Sequence, residues 1–598
     1  MSIDYSDGKR EEKSVLSVLQ KAPDKSSTNL VGVESWSNWS LRYHLTPERS
    51  NILRPFDFSG LTVLELGAGM GAVSRYLAES CRELVIVEGT ENRFNAACER
   101  LSDLDNWNGR VCNIQDFETE QRFDVVVVCG VLEYSELYVK GVDGSNPFET
   151  FLKKAQSLLK PGGGVVVAIE NRIGLKYWSG AAEDHTGRLF DGIQGYGVKP
   201  TPRTFSKKEL DGLLNSSGFS QVDRFYPFPD YKLASSVLSE DIFESAPEQV
   251  ADLATARDFE SYGQVPISLF NDFLAFEGLQ SAGLGAEFSN SFLFFAWLEE
   301  ESSEIRQKLM KGYLDGEKAW HFSSLRECPA KTTFKQVQSE IIADKLLLKT
   351  PSEKSFTKGG FKWRATSGPL VPGEALRSRL VRAAAYRNSE SFFSELESFL
   401  SWSLGFWKLD NGSLKPIAFD ATFANVKVTP SGDFQCFDLE WILESQPLSP
   451  SLFILRNVFV LNREKKVLGR IFEGSCLREI YENLCVRLNL VPAYKKDLDI
   501  EAAFQAMVLG QNQEDCRQSL FQQLNETLYD FSASEKSEEW LPMLRKAIKK
   551  SGGTSSFYTS GGYMPFRYRM VDELYGRLKL IPGLQAVARE VVRRGWKN

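Results

Sequence analysis

The chain has 598 residues and a net charge of −8, and 42% of its residues are hydrophobic, 12% aromatic and 25% charged. This composition is typical of globular proteins and excludes collagen-like, coiled-coil and wholly disordered classes. The length predicts about three or four domains, and the negative charge opposes general attraction to nucleic acid, so we expect no nucleic-acid partner.

The N-terminal 34 residues are predicted to be disordered. Residues 1–28 are polar and mixed in charge, and they lack the apolar core of a secretory signal. No apolar run in the chain approaches the roughly 18 residues of a membrane span. The nine cysteines are odd in number and contain no C-x-x-C pair, which indicates a reducing compartment. We therefore expect a cytoplasmic protein.

Short apolar runs alternate with amphipathic stretches through the first half of the chain. The predicted strands cover residues 61–66, 83–88, 110–114, 123–129, 164–170, 221–227 and 289–297. Such alternation predicts an α/β fold, with a parallel, doubly wound sheet and helices on both faces. We assign this domain to residues 35–297, with an acidic helical insertion at about 236–285 over the face that carries the active site.

The segment VLELGAGMGAVSRYL, residues 63–77, is the most informative part of the sequence. A buried strand leads into Gly67, Gly69 and Gly71, and an amphipathic helix begins near Ala72. Glycines suit such a loop because the backbone must adopt positive φ and let a ligand approach closely. The loop predicts a site for a nucleotide-like cofactor, but it also fits the dinucleotide fingerprint G-x-G-x-x-G/A.

Three acidic residues favour S-adenosylmethionine over NAD as the cofactor. Glu65 precedes the first loop glycine by two residues, where a carboxylate can contact the amino group of an amino-acid-bearing cofactor. Glu88 ends the second strand and is placed to accept hydrogen bonds from ribose hydroxyls, and Asp116 follows the third strand, where it can meet the adenine amino group. The alternatives are that Glu65 bonds loop amides, that Glu88 caps a helix and that Asp116 is an ordinary surface acid.

The sequence resembles class I methyltransferases, and more narrowly a bacterial group found with the biosynthesis of surface polysaccharides such as O-antigen. The resemblance lies in RYHLTPERSNILRPF, VLELGAGMGAVSRYL, VEGTENR, FDVVVVCGVLEYSE, AIENRIGLKYWSGAAEDHTGRLFDGIQGY, RTFSKKEL and YPFPDYKL, which span about residues 42–234. It implies a Rossmann-like domain in which the glycine loop, Glu88 and Asp116 hold the cofactor. It also implies that residues 129–134, with Gly130 among the cofactor contacts, lie beside the transferred methyl group.

The segment after the fifth predicted strand carries the candidates for catalysis. Methyl transfer depends mainly on positioning, but a hydroxyl acceptor must also lose a proton. His185 is the single histidine of this segment, and its ordinary pKa of about 6.5 suits a base near neutral pH. Asp184 is placed to orient His185, and Glu170 is a further candidate. The alternative is that Asp184 and His185 cap a turn.

A metal site is not predicted. The three histidines, His44, His185 and His321, are too far apart in sequence to resemble H-E-x-x-H. The absence of a C-x-x-C pair also argues against a zinc ribbon.

The same segment supplies the candidates for binding the acceptor, which are Arg172, Lys176, Tyr177 and Arg188. Arginine matches the oxygens of phosphate, and aromatic rings can stack on sugars. We therefore expect an acceptor with a phosphate, sugar-nucleotide-like or lipid-pyrophosphate group. The family resemblance implies a glycan or a lipid-linked glycan precursor as substrate, with glycosyltransferases of the same pathway as partners. The alternatives are a solvated surface for the lysines and a place in the core for the aromatic rings.

The second half of the chain is predicted to be an α+β domain. The pattern predicts a helical connector over residues 298–330. Residues 331–548 are predicted to begin with β-hairpins and to become helical after Trp441. Asp420, Asn425 and Asp438 have the spacing of a protein-kinase catalytic loop, in which they would orient an acceptor hydroxyl and hold Mg²⁺ with ATP.

The sequence before Asp420 departs from the kinase pattern. It has no G-x-G-x-x-G loop and no histidine before Asp420, and Lys345 is the one strand lysine in a suitable place. We therefore expect a kinase-like remnant that binds or organises rather than phosphorylates. An active kinase, or a chance spacing in an unrelated region, remains the alternative.

Residues 549–598 are predicted to form a Gly/Ser linker followed by a basic helical tail. Lys and Arg exceed Asp and Glu by five from residue 566 onward, and apolar residues recur at helical spacing. Two short basic amphipathic helices suit peripheral contact with an anionic membrane, at its inner face. The alternative is a terminal helix docked on the protein.

Together these features predict an S-adenosylmethionine-dependent methyltransferase that O-methylates a sugar or phosphate group of a bacterial surface glycan. The alternative is a non-catalytic scaffold, made of a degenerate methyltransferase and a pseudokinase, in a polysaccharide assembly complex.

Overall fold

The computed structural model describes residues 8–29, 38–139, 145–197, 200–260, 270–298, 303–323, 329–338 and 340–528. The predictions for residues 1–7, 30–34 and 549–598 therefore lie outside the described residues. The chain divides into two units, residues 1–530 and residues 531–598, and the described residues all belong to the first unit.

The described strands form a large mixed sheet and two small antiparallel ones. The strands are β1 (Thr62–Leu66), β2 (Glu83–Glu88), β3 (Trp107–Val111), β4 (Phe123–Cys129), β5 (Leu159–Glu170), β6 (Gln221–Phe228), β7 (Ser236–Ser239), β8 (Ser291–Trp297), β9 (Glu317–Phe322), β10 (Ala330–Val337), β11 (Glu340–Leu347), β12 (Ser355–Lys358), β13 (Phe361–Arg364), β14 (Ser367–Pro369), β15 (Glu374–Ala375), β16 (Val426–Val428), β17 (Phe434–Cys436) and β18 (Trp441–Leu443).

The described α-helices flank these sheets and form most of the second half. They are α1 (Lys9–Lys21), α2 (Trp39–Leu45), α3 (Ala72–Ser80), α4 (Glu91–Arg100), α5 (Ser135–Tyr138), α6 (Pro147–Ser157), α7 (Leu175–Trp178), α8 (Lys207–Ser216), α9 (Ile242–Ser245), α10 (Pro247–Ala254), α11 (Asp272–Ser281), α12 (Glu304–Leu309), α13 (Lys311–Leu314), α14 (Leu376–Ala385), α15 (Ser389–Phe406), α16 (Pro450–Leu461), α17 (Lys465–Leu468), α18 (Leu477–Arg487), α19 (Tyr494–Leu509) and α20 (Gln513–Asn525). None of the helices in the described part of the chain is both long and apolar enough to cross a bilayer.

The predicted Rossmann-like sheet is confirmed, with one correction. Strands β3, β2, β1, β4 and β5 lie side by side and run parallel. β8 is antiparallel, and it lies between β5 and β6. It starts with Ser291 opposite Glu170, at the carboxyl end of β5, and must therefore run back along that strand. The sheet is accordingly mixed rather than wholly parallel.

Successive residues of the central strands pack on opposite faces of the sheet. Leu64 and Val126 belong to one buried cluster, with Phe151 of α6. Val63 and Val125 belong to the other, with Leu77 of α3. Burial on both faces explains the continuous apolar runs of β1 and β4, and it leaves the carboxyl ends of the strands as the place for a site.

The prediction of disorder over residues 1–34 is wrong for α1. Val15 and Leu19 are four positions apart, so they share one face of this helix. That face packs against Met70 and Ala96, next to the glycine loop. The charged residues around Val15 and Leu19 suggest disorder, but Glu11 and Glu12 are themselves buried, and Glu12 accepts a hydrogen bond from the side-chain amide of Asn92 at 3.3 Å.

The large sheet continues beyond the expected end of the first domain. β7 pairs with β6 and with β9, and β10, β11 and β14 extend the sheet from there. The expected helical insertion at 236–285 therefore begins with a strand before α9, α10 and α11, and the expected helical connector at 298–330 contains β9. Val237 and Trp320 are fully buried in this extension, because each of these short strands buries apolar side chains against its neighbours.

In the second half, helices begin earlier than predicted. β10 with β11 and β12 with β13 form the expected hairpins. However, α14 and α15 precede Trp441, because Leu376 and Leu380, and then Leu396 and Leu400, recur at helical spacing and are buried.

Candidate functional site

The glycine loop lies between β1 and α3, at the carboxyl edge of the parallel strands. Gly67, Gly69 and Gly71 have φ values of +82°, +57° and +78°. A Cβ atom on Gly67 would lie 2.4 Å from Cγ2 of Val131, and one on Gly71 would lie 2.9 Å from Cα of Ala97. Both the backbone conformation and the close packing thus require glycine, as the sequence predicts.

Glu65 is 2% exposed at the end of β1, beneath this loop. The hydroxyl of Ser74 donates a hydrogen bond of 2.5 Å to its Oε2. Burial raises the pKa of Glu65 to about 8, although the Ser74 hydroxyl and the charge of Arg49 oppose the shift. The carboxyl group therefore lies where a cationic ligand group would ionise it.

Glu88, rather than Glu65, bonds the amides of the loop region. Its Oε2 accepts from the amide of Gly69 at 2.8 Å, and its Oε1 accepts from the amide of Thr90 at 3.0 Å. Asp116 is exposed in a 3-10 turn beyond β3. Gly130, with φ of +69°, follows β4, and a Cβ atom there would lie 2.5 Å from the hydroxyl of Tyr231. The candidates for cofactor contact therefore follow four adjacent strands, and their contact with a cofactor stays a prediction.

Next to Gly130 lies a buried group of charged residues that we call the acid cluster. Its members carry five carboxylates, two ammonium groups and one imidazole. They are Glu133, Glu170, Lys176, Glu183, Asp184, His185, Asp230 and Lys232.

His185 is held between carboxylates. Its Nδ1 lies 3.1 Å from Oε1 of Glu183, and its Nε2 lies 3.5 Å from Oε1 of Glu133. Glu183 also accepts from the amides of His185 and Thr186, at 2.8 Å and 2.6 Å. The prediction that Asp184 orients His185 is wrong, because Glu183 holds the ring.

The surrounding charges favour the protonated imidazole. Burial alone would lower the pKa of His185, but Glu170, Glu133 and Glu183 raise it well above its ordinary value. Both ring nitrogens face carboxylates, so this geometry disfavours His185 as the base that removes a proton from an acceptor.

Asp184 instead forms ion pairs with two lysines, Lys176 and Lys232. Its Oδ2 accepts from the hydroxyl of Tyr177 at 2.6 Å and lies 2.9 Å from Nζ of Lys176, and its Oδ1 accepts from Nζ of Lys232 at 2.8 Å. Although burial opposes it, these two ammonium groups hold the pKa of Asp184 well below its usual range. Lys176 also pairs with Asp230 at 2.5 Å.

Glu170 and Glu133 each keep one oxygen without a partner. The ammonium group of Lys232 contacts Oε1 of Glu170, but Oε2 of Glu170 and Oε2 of Glu133 have no hydrogen-bond partner among the described residues. The two side chains are 0% and 1% exposed. Burial raises the pKa of Glu170, against the charge of Lys232.

The predicted acceptor-binding residues do not form one surface. Lys176 and Tyr177 lie inside the acid cluster. Arg172 forms a bidentate pair with Glu209 at 2.7 Å and 3.0 Å and donates to the carbonyl of Gly192, so its donors are occupied. Arg188 is exposed. The structure therefore leaves Arg188 as the predicted arginine that is open to a phosphate.

Sequence reasoning missed four residues at this site: Glu133, Asp230, Lys232 and Arg49, which donates to the carbonyl of Lys232 at 2.9 Å. All four stand in the segments that carry the family resemblance, and that was the available signal. Asp230 and Lys232 share one 3-10 turn after β6, but no spacing rule links that turn to Glu133 or Arg49, which reach the site from other elements.

The kinase-like residues of the second half do come together. Oδ2 of Asp420 accepts from the amides of Glu440 and Trp441 at 2.9 Å and 3.1 Å, and the side-chain amide of Asn425 donates to the carbonyl of Asp420 at 2.9 Å. Nζ of Lys345 lies 2.7 Å from Asp438 and 2.9 Å from Glu440. The expected strand lysine thus contacts the expected metal-binding aspartate.

A family model described as "Methyltransferase domain" matches residues 64–165. Nodulation protein S of Sinorhizobium fredii is 32% identical over 73 residues, which are 12% of this chain and 34% of that protein. The human mitochondrial ubiquinone biosynthesis O-methyltransferase is 28% identical over 167 residues, which are 27% of this chain and 42% of that protein. The chain therefore spans less than half the length of the curated relatives it matches.

Among solved structures, the N-methyltransferase NodS of Bradyrhizobium japonicum WM9, in complex with S-adenosyl-L-homocysteine, is 15% identical. The alignment covers 48% of this chain and 99% of that one, with a TM-score of 0.25. Residues 64–165 therefore match a methyltransferase domain, and this segment contains the glycine loop, Glu88, Asp116 and Gly130.

Proposed function

We propose that the chain is an S-adenosylmethionine-dependent methyltransferase that methylates a hydroxyl of a sugar, or a phosphate, in a bacterial surface glycan or its lipid-linked precursor. The observation that carries the activity is the glycine loop with Glu65 beneath it, at the carboxyl edge of the parallel strands. The substrate class rests on the sequence resemblance to surface-polysaccharide enzymes.

The residues at the loop fit this cofactor. The positive φ values of the three glycines open the backbone to a close ligand, and the buried carboxyl of Glu65 offers an acceptor to an amino group. Glu88 steadies the loop through the amide of Gly69. When bound, the cofactor supplies an electrophilic methyl group.

The acid cluster suits an acceptor that must lose a proton. The bound cofactor would supply the methyl group and would retain the electron pair of the broken carbon–sulfur bond, while the acceptor oxygen that takes the methyl group would give up its proton. The hydroxyl proton leaves through the cluster, where Oε2 of Glu133 and Oε2 of Glu170 are the oxygens available to assist. Glu133 lies just past Gly130, in the segment that the resemblance puts beside the methyl group.

The second half is proposed to be a kinase-like remnant that binds or organises. Lys345 is held by Asp438 and Glu440, so its ammonium group has carboxylate partners of its own. A bifunctional methyltransferase and kinase, and a wholly non-catalytic scaffold, are the alternatives. A cytoplasmic location, glycosyltransferase partners and contact of the tail with an anionic membrane belong to the same proposal.

Binding of the cofactor is tested by calorimetry with S-adenosylhomocysteine. We expect one site per chain and no comparable binding of NAD. Gly67→Ala should weaken binding by more than about tenfold, because the added Cβ atom meets Val131 and the residue is strained at positive φ. Gly212→Ala is the matched control, since Gly212 lies in α8 with open space around it, and this change should preserve binding.

The transfer half is tested with labelled S-adenosylmethionine and a membrane extract that contains lipid-linked glycans. Label should enter the glycan with the unmodified protein and fail to enter with Gly67→Ala. Tighter binding of NAD than of S-adenosylhomocysteine would overturn the cofactor assignment, and cofactor binding without label transfer to any glycan would overturn the substrate class.

A further inference from the structure

Two buried carboxylate oxygens in the acid cluster lack any partner in the described structure. Oε2 of Glu133 and Oε2 of Glu170 are both buried. A buried polar atom without a hydrogen bond lowers stability by roughly 1–3 kcal/mol, and more when it is charged. Native proteins seldom leave such atoms unpaired, so these two oxygens indicate a ligand.

The side chains that carry these oxygens are placed, together with His185, as ligands to one ion. Glu133, Glu170 and His185 each offer a ligand atom, and the three atoms lie within 4.8 Å of one another. Nε2 of His185 is 3.5 Å from Oε1 of Glu133, which is long for a hydrogen bond between charged groups. Two ligand atoms bound at about 2.1 Å to one tetrahedral ion lie roughly 3.4 Å apart.

Other contacts of His185 and Glu170 hold these two side chains in place. A carboxylate can only accept, so Nδ1 of His185 donates to Glu183 and Nε2 is directed to the other side of the ring. Glu183 is itself fixed by the amides of His185 and Thr186. Lys232 holds the opposite oxygen of Glu170. A histidine whose second nitrogen donates to a carboxylate is the common arrangement around bound metals.

Charge balance points the same way. A metal ion on Nε2 of His185 would take the place of the second imidazole proton. The five carboxylates of the acid cluster would then face three cations, the ammonium groups of Lys176 and Lys232 and the guanidinium of Arg49 at its edge. The excess of two negative charges equals the charge of one divalent ion. Burying uncompensated charge is strongly unfavourable, so an ion here would stabilise the cluster.

The neighbouring acidic group, in contrast, already has its cations. Glu170, Asp184 and Asp230 also lie within reach of one another. Lys176 lies between Asp184 and Asp230, and Lys232 lies between Asp184 and Glu170. The two lysines therefore neutralise this group without a metal ion.

We propose that Glu133, Glu170 and His185 bind a divalent transition-metal ion such as Mn²⁺ or Zn²⁺. One imidazole and two carboxylates are ligands that suit these ions better than Mg²⁺, which prefers oxygen alone. Such an ion would act as a Lewis acid on the acceptor hydroxyl, and Glu133 and Glu170 would assist the loss of its proton through the ion. This role rests on the proposed function, whereas the binding of the ion does not.

The test is a titration of the full chain with Mn²⁺ after a chelator has removed any bound metal. Electron paramagnetic resonance measures the concentration of the free ion at each step of the titration. We expect one Mn²⁺ per chain, displaced by Zn²⁺. Glu133→Gln and Glu170→Gln should each weaken binding more than about tenfold. Glu136→Gln is the matched control, since Glu136 pairs with Arg203 outside the cluster, and it should bind Mn²⁺ as the unmodified chain does.

Two further measurements keep the outcomes distinct. Circular dichroism shows whether each variant is folded, and the stoichiometry of the unmodified chain decides the question without any variant. If that chain binds S-adenosylhomocysteine but neither Mn²⁺ nor Zn²⁺, His185 forms an imidazolium ion pair and the metal site is overturned. Tight Mn²⁺ binding that survives both substitutions also overturns it. Mn²⁺ binding without S-adenosylhomocysteine binding would count against the proposed function alone.

Discussion

The carboxyl group of Glu65 is buried at the end of β1, and burial raises its pKa from 4.5 to about 8. The folded state therefore keeps a proton on Glu65 that the unfolded state releases near pH 4.5. The stabilisation from this proton is complete below the unfolded pKa and is lost as the pH rises to the folded pKa. For a single proton the slope is at most about 1.4 kcal/mol per pH unit.

Glu65→Gln should remove this pH dependence. Glutamine keeps an oxygen that accepts from Ser74 but has no proton to lose, so the free energy of unfolding should fall less between pH 5 and 8 than in the unmodified protein. Urea unfolding at three pH values measures this, with Glu136→Gln as a control at a partly exposed ion pair. Parallel pH profiles for Glu65→Gln and the unmodified protein would contradict the assignment.

The residues of the site differ in how far the sequence could predict them. The three loop glycines follow from local chemistry, since positive φ and close packing require glycine at those positions. The partners of Asp184 and His185 could not be predicted, because the two neighbours in sequence turn to different groups, one to lysines and one to carboxylates. Only the fold decides which distant residues meet them.

At the scale of elements, strands with continuous apolar runs were predicted closely, and β2 and β4 have the predicted bounds. β7 and β9 were missed because they are short and contain polar residues such as Ser236 and His321. Those polar side chains are not solvated, since Oγ of Ser236 bonds Nδ1 of His321 at 2.9 Å across the two strands. Local pattern cannot reveal a pairing of this kind.

The contact between β11 and residues 438–440 supports a structural role for Lys345. Its ammonium group lies between Asp438 and Glu440, and burial raises the pKa of Glu440 to about 7 even though Lys345 opposes the shift. Lys345→Met should leave these carboxylates without their cation and destabilise the protein by about 3–5 kcal/mol. Thermal unfolding measures the loss, and Lys362→Met, at a partly exposed pair with Glu444, is the control.

The group formed by Lys345, Asp438 and Glu440 is expected to transfer no phosphate. We expect no ATP-dependent phosphorylation of glycan by the unmodified protein. The sequence lacks the G-x-G-x-x-G loop that covers the phosphates of ATP in kinases, and the ammonium group of Lys345 is already paired with Asp438. Magnesium-dependent incorporation of phosphate that disappears in Asp438→Ala would show that the second half is an active kinase.

At the scale of the whole molecule, one sheet joins the two halves that the sequence separates. β7 pairs with β9, and Trp320 of β9 packs near Phe56 and Phe225 of the first half. Arg306, which lies between the halves in sequence, forms a buried pair of 2.7 Å with Asp223. The segment that composition suggests as a connector thus takes part in the shared core, because Arg306, Leu309 and Trp320 are buried in the fold although most of its other charged residues are exposed or half-buried.

Truncation at the boundary that the sequence suggests should therefore destroy the fold, whereas truncation at residue 530 should not. A chain of residues 1–298 loses β9 and Arg306, which exposes the edge of β7, uncovers Phe56 and leaves Asp223 buried without its guanidinium partner. We expect it to aggregate and to bind no S-adenosylhomocysteine. A chain of residues 1–530 keeps the whole first unit and should stay soluble and bind S-adenosylhomocysteine with the affinity of the full chain. Calorimetry on both chains decides the matter, and a soluble, ligand-binding 1–298 chain would show that the first half folds independently of the shared sheet.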